Sequence, residues 1–110
     1  MNSSTYYSKI QKIADTYGYD AQSRQCIEEM AELTQAINKF WRKQLYCGVT
    51  PFPIEEKSKE RDAIIEEIAD VEICISQMKY LLAIREEDVN KVIEQKLNRQ
   101  LERIEKCTSS

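Results

Sequence analysis

"IIEEIADVEICISQMKYLL", residues 64–82, places apolar side chains at Ile64, Ile68, Val71, Ile75, Met78 and Leu82. Steps of four, three, four, three and four follow one face of an α-helix, because side chains three and four residues apart stack above one another. The same stretch carries glutamates and an aspartate beside that stripe, as does "IEEMAE" at residues 27–32.

The neighbouring segments share the period. A first helix is expected from about Thr5 to Tyr17 with Ile10, Ile13 and Ala14 on one face, closed by Gly18 as a C-terminal cap, with Asp20 as the next N-cap. A second helix, from about Ala21 to Tyr46, uses Ile27, Met30, Leu33, Ile37, Phe40 and Trp41. A loop at residues 48–55 contains both prolines, and the third helix then runs from about Lys57 to Leu82. "AIREED" interrupts the pattern before a fourth helix, about Glu87 to Lys106, built on Val89, Ile93, Leu97, Leu101 and Ile104. Short connections make consecutive helices antiparallel, so the expected fold is all-α, a single-domain four-helix up-and-down bundle. Long rods with broad apolar faces leave surface uncovered in a monomer, which makes a homo-oligomer the expectation.

Composition agrees and narrows the chemistry. The chain has 110 residues, enough for one core, and only two glycines and two prolines. A net charge of -3 without a local basic patch argues against nucleic acid as a partner. No leader-like apolar run or membrane-length window is present, so the expected location is cytoplasmic, with no membrane partner. Four cysteines without a CxxC spacing read as reduced thiols, two of them packing between helices. The absence of histidine removes the commonest general base and transition-metal ligand.

At 100° per residue, Glu29 and Glu32 leave the second helix on one side, one turn apart, and Glu67 and Asp70 leave the third in the same way. Relative to the apolar stripe of residues 64–82, Glu67 lies roughly 60° away and Asp70 roughly 120° away. Four facing carboxylates repel one another in a reduced dielectric, so a cation is needed between them. Oxygen ligands alone select a hard divalent ion, Mg²⁺ first and Mn²⁺ second, with positions left for water and phosphate oxygens.

"EEMAE" followed by "EEIAD" resembles the paired E-x-x-E and E-x-x-D signature of the MazG-like, all-α nucleoside triphosphate pyrophosphohydrolases. The likeness extends through "IIEEIADVEICISQMKYL" and "EQKLNRQLERIE", covering about Ile27 to Glu105. It implies a Mg²⁺-dependent enzyme that splits a nucleoside triphosphate between the α and β phosphates, with Glu29, Glu32, Glu67 and Asp70 as metal ligands. It further implies phosphate-binding roles for Lys96 and Arg99, with Asn98 beside them, and a homodimer or homotetramer.

Lys39 follows Glu32 on nearly the same stripe of its helix, with Arg42 and Lys43 close behind, and is a further phosphate ligand candidate. Trp41 and Phe40 offer a stacking surface for a base, against packing in the core or at a subunit contact. With no histidine, Glu29 or Glu32 must serve as the base that activates water. Two alternatives have different chemistry: a non-catalytic helical interaction protein assembled through its apolar seam, and a protein that senses nucleotides without turnover.

Overall fold

The computed structural model of the chain describes residues 3–46 and 58–108. Three helices account for nearly all of them: α1 (Ser3–Tyr46), α2 (Lys59–Leu81) and α3 (Glu86–Thr108), with no strand among the described residues. The proline loop and the expected start of the third helix at Lys57 lie outside the described residues.

α1 contains two helical arms, residues 3–17 and 19–46, because Gly18 alone leaves helical geometry, at φ 81 and ψ 172. That corner of backbone space is open essentially to glycine only. Asp20, expected to cap a separate helix, lies inside α1 instead. Cross-contacts set the direction of each arm. Tyr6 meets Ser76 at 2.8 Å and the Tyr80 hydroxyl donates to Asp15 at 2.8 Å, so numbering rises together and the first arm runs parallel to α2. Gln22 donates to Gln77 at 2.6 Å and Lys43 pairs with Glu60 at 2.8 Å, so the second arm runs antiparallel to α2. Gly18 is therefore the reversal between two packed arms.

The ends of α2 are written in its sequence. Ser58 accepts from the Arg61 amide through its side chain at 3.0 Å, and Glu60 and Asp62 in the first turn favour the positive end of the helix dipole. At the other end the Ile84 amide reaches the Lys79 carbonyl at 2.8 Å and the Ala83 amide reaches Tyr80 at 3.2 Å, the two bonds of a Schellman cap. Ala83 occupies the left-handed position at φ 54, where glycine is the usual residue.

The buried seam differs from the apolar stripes expected above. Along the second arm of α1, Gln22 and Cys26 are buried and Glu29, Leu33, Ala36 and Phe40 half-buried; along α2 the line is Ile64, Glu67, Val71, Cys74, Met78 and Leu81, with Gln77 at 2% exposure. Both lines step by four and three. On α2 the packed face is turned by roughly 60° from the Ile64–Ile68–Val71–Ile75 stripe, which brings Glu67 to its centre. Ile27, Met30 and Ile37 on α1, and Ile68 and Ile75 on α2, remain exposed.

α3 does not complete a four-helix bundle within the chain. None of its residues is buried, and Ile93, Leu97, Leu101 and Ile104 are about half exposed or more. The radius of gyration, 18.0 Å, shows the consequence, since a compact domain of this length has about 13 Å.

Candidate metal centre

Glu29 sits on the α1 seam one turn past Cys26, and Glu67 sits on the α2 seam two turns before Cys74. Antiparallel packing in the Gln22–Gln77 register brings them face to face. Glu32 lies one turn further along α1 at the edge of the seam, exposed, and one carboxylate oxygen from each of Glu29, Glu32 and Glu67 lies within 4.8 Å of the others. Asp70 is exposed on α2, beside Glu29 but outside that trio.

The hydrogen bonding is incomplete in a telling way. Gln25 donates from Nε2 to Glu29 Oε1 at 2.6 Å, fixing one oxygen. Glu29 Oε2 and Glu67 Oε2 are buried and have no hydrogen-bond partner. Buried carboxylate oxygens normally find donors, so two orphans on residues of one acidic cluster are what a cation would satisfy. The electrostatics agree. Burial pushes the Glu67 carboxyl above its ordinary range, and the charges of Glu32, Glu29 and Asp70 push it further. Asp70 is raised by burial first and then by the charge and close approach of Glu29. No lysine or arginine neutralises Glu29, Glu32 or Glu67 among the ion pairs of the described residues.

The layer beyond Glu29 and Asp70 is made of thiols. Cys26 and Cys74 are buried at 5% and 4% exposure, and the Cys74 thiol is pushed up to about 11, by burial first and then by Cys26 and the nearby carboxylates. A thiol so hard to ionise packs as a small apolar group. This matches the expectation that two cysteines pack between helices. A donor set of three carboxylates, with the Cys74 thiol held neutral, suits Mg²⁺ or Mn²⁺ and not a thiophilic ion.

Four of the sequence-derived site residues thus come together: Glu29, Glu32 and Glu67 closely, and Asp70 at their margin. Lys39 is exposed on α1, on the same side of the seam as Glu32. Trp41 is 60% exposed and is not part of the packed seam among the described residues. Lys96 and Arg99 are exposed on α3, which does not lie along the seam, so a single chain does not bring them to the carboxylates. Gln25 was not anticipated, although its spacing of four from Glu29 is the signal for such a bond. No family model matches the chain, and neither a curated protein nor a solved structure matches it.

Proposed function

We propose that the chain is a Mg²⁺-dependent nucleoside triphosphate pyrophosphohydrolase of the MazG-like type, cytoplasmic and assembled as a homodimer or homotetramer. The observation that carries this reading is the pair of orphaned, buried oxygens on Glu29 and Glu67, in a cluster that Glu32 completes. Such a cluster is costly unless a cation occupies it, and a cation held by carboxylates is suited to phosphate chemistry.

Each residue has a part in that chemistry. Gln25 orients Glu29 by holding Oε1, and Oε2, which has no hydrogen-bond partner, is the oxygen that would hold the cation. Glu67 supplies the facing oxygen from α2, and Asp70 adds charge at the margin. Bound Mg²⁺ supplies charge neutralisation for the phosphates and a lowered pKa for coordinated water. Glu32, the exposed member of the trio, accepts a proton from water as its oxygen attacks the α-phosphorus. The bond from the α-phosphorus to the bridging oxygen breaks, and the products are a nucleoside monophosphate and pyrophosphate. Lys39 stands on the side of the seam where Glu32 opens and pairs with phosphate oxygens. Lys96 and Arg99 join the site only from another copy of the chain.

The test is pyrophosphate release from a panel of ribo- and deoxyribonucleoside triphosphates with Mg²⁺. Release that stops on chelation and in Glu67→Gln supports the reading. Binding of Mg²⁺ and nucleotide without pyrophosphate release points to a sensor, and no response to either ion or nucleotide removes the proposal.

A further inference from the structure

Where the first arm of α1 crosses α2, two aromatic rings form a corner. Tyr6 and Tyr7 have ring centroids 5.4 Å apart and planes at 74°, one ring edge-on to the other. The Tyr6 and Ser76 hydroxyls share a 2.8 Å hydrogen bond, which fixes that wall against α2. The corner opens into a cavity of about 370 Å³, lined by Ser3, Tyr6, Tyr7 and Glu72. In an edge-to-face pair, a group seated in the angle meets a face of each ring, and those faces are the negative part of the aromatic quadrupole. Glu72, one turn before Ser76 on α2, adds a full negative charge to the same hollow.

No cation of the described residues answers that charge. Glu72 takes part in none of their ion pairs. Its neighbours one turn away on α2 are Ile68, Ala69, Ile75 and Ser76. Lys79, two turns on, is held by Glu86 at 2.8 and 3.1 Å, and Lys9 is exposed and does not line the cavity. The chemistry of the lining selects the occupant. A hard metal ion needs several oxygen ligands, and this hollow offers one carboxylate. A bare ammonium is a compact, strongly hydrated charge that gives up water reluctantly. A methylated ammonium spreads its charge over a bulky, apolar head, which suits ring faces beside a single acid.

We propose that this corner binds a small organic cation with a methylated ammonium head, of the choline type. The head sits between Tyr6 and Tyr7 with its charge facing Glu72. The cavity is at the small end of the range for ligand sites and leaves room for a short substituent. Glu72 lies five positions past Glu67, about 140° round α2, so the corner is separate from the carboxylate trio and stands whether or not that trio holds a metal.

The experiment is a titration of the full chain with choline chloride, followed by NMR of the tyrosine ring protons, with sodium chloride at equal ionic strength as the control. Saturable shifts of Tyr6 and Tyr7 are expected, with a dissociation constant on the order of 1 mM. Dimethylbutanol, the uncharged isostere of choline, should bind at least about tenfold more weakly. Tyr7→Leu and Glu72→Gln should each weaken choline at least about fivefold, while Tyr7→Phe, which keeps the ring, changes it by less than about twofold. Tyr7 is 49% exposed and Glu72 is exposed, so both sites tolerate substitution; if Tyr7→Leu nevertheless fails to fold, Glu72→Gln and the isostere decide. Shifts no different from those in sodium chloride overturn the proposal, and so does an isostere that binds as well as choline, which marks an apolar hollow only. Choline binding unchanged in Glu72→Gln and Tyr7→Leu places the cation elsewhere and overturns it equally.

Discussion

Replacing Gln77 by leucine tests the register that carries both seam glutamates into the helix pair. Gln77 is 2% exposed, Gln22 is 8% exposed, and their side chains share a 2.6 Å bond across the seam. Gln77→Leu removes the acceptor and leaves the Gln22 amide donor buried without a partner, a cost of about 1–3 kcal/mol. Leucine fills much of the same volume, so little cavity cost is added and the net loss should be about 1–2 kcal/mol. Gln22→Leu has the mirror effect through the stranded Gln77 carbonyl. The double variant leaves no orphan, and an apolar pair of similar shape should lie within about 0.5 kcal/mol of the parent or above it. Urea unfolding of the four proteins at one protein concentration gives the cycle, with a coupling of about 2–4 kcal/mol expected. Additive losses, or a Gln77→Leu chain as stable as the parent, would refute the buried pairing and with it the placement of Glu29 and Glu67 on the seam.

Three further outcomes follow from local geometry and charge. Glu67 and Asp70 have raised carboxyls in the fold, against ordinary values of 4.5 and 3.8, so the folded state holds their protons more tightly than the unfolded chain does. Their contribution is fully present below about pH 4 and is lost as pH rises through the folded values. Metal-free protein should thus lose thermal stability from these groups between acid and neutral pH. Added Mg²⁺ at ten times its Kd restores about 1.4 kcal/mol at neutral pH, and a melting curve indifferent to Mg²⁺ counts against the site. Gly18→Ala should cost about 1–3 kcal/mol by denaturant titration, purely from backbone conformation, since nothing lies within 4 Å of an added Cβ; an unchanged midpoint contradicts the assigned reversal. Ala83→Gly should stabilise by about 0.5–1 kcal/mol because it relieves the left-handed alanine of the α2 cap, and a loss of stability would show that cap to be wrongly described.

Helix content, the break at Gly18 and the pairing of two acidic turns were all legible in the residues. The face of each helix that packs was not. Counting apolar residues on α2 selects Ile68 and Ile75, yet both stay exposed while Cys74, Gln77 and Glu67 line the contact. The reason is physical. These helices carry two apolar tracts, one buried against its neighbour and one left open, and a single periodic count averages their directions. The polar groups that interrupt the buried tract are matched across it, Gln22 with Gln77 and Glu29 with Glu67, and such matching is invisible until the register is known. α3 shows the opposite limit. Its stripe is plain in the sequence, but nothing in the stripe says which surface receives it.

Mn²⁺ binding followed by electron paramagnetic resonance tests the metal centre most directly, because the free-ion signal disappears as the ion is taken up. The wild-type chain should deplete that signal, Mg²⁺ should restore it by competition, and Glu67→Gln should lower the affinity by at least about tenfold while the chain stays helical. A free Mn²⁺ signal that the wild-type protein leaves undiminished would contradict the assignment of Glu29, Glu32 and Glu67 as a divalent-cation site.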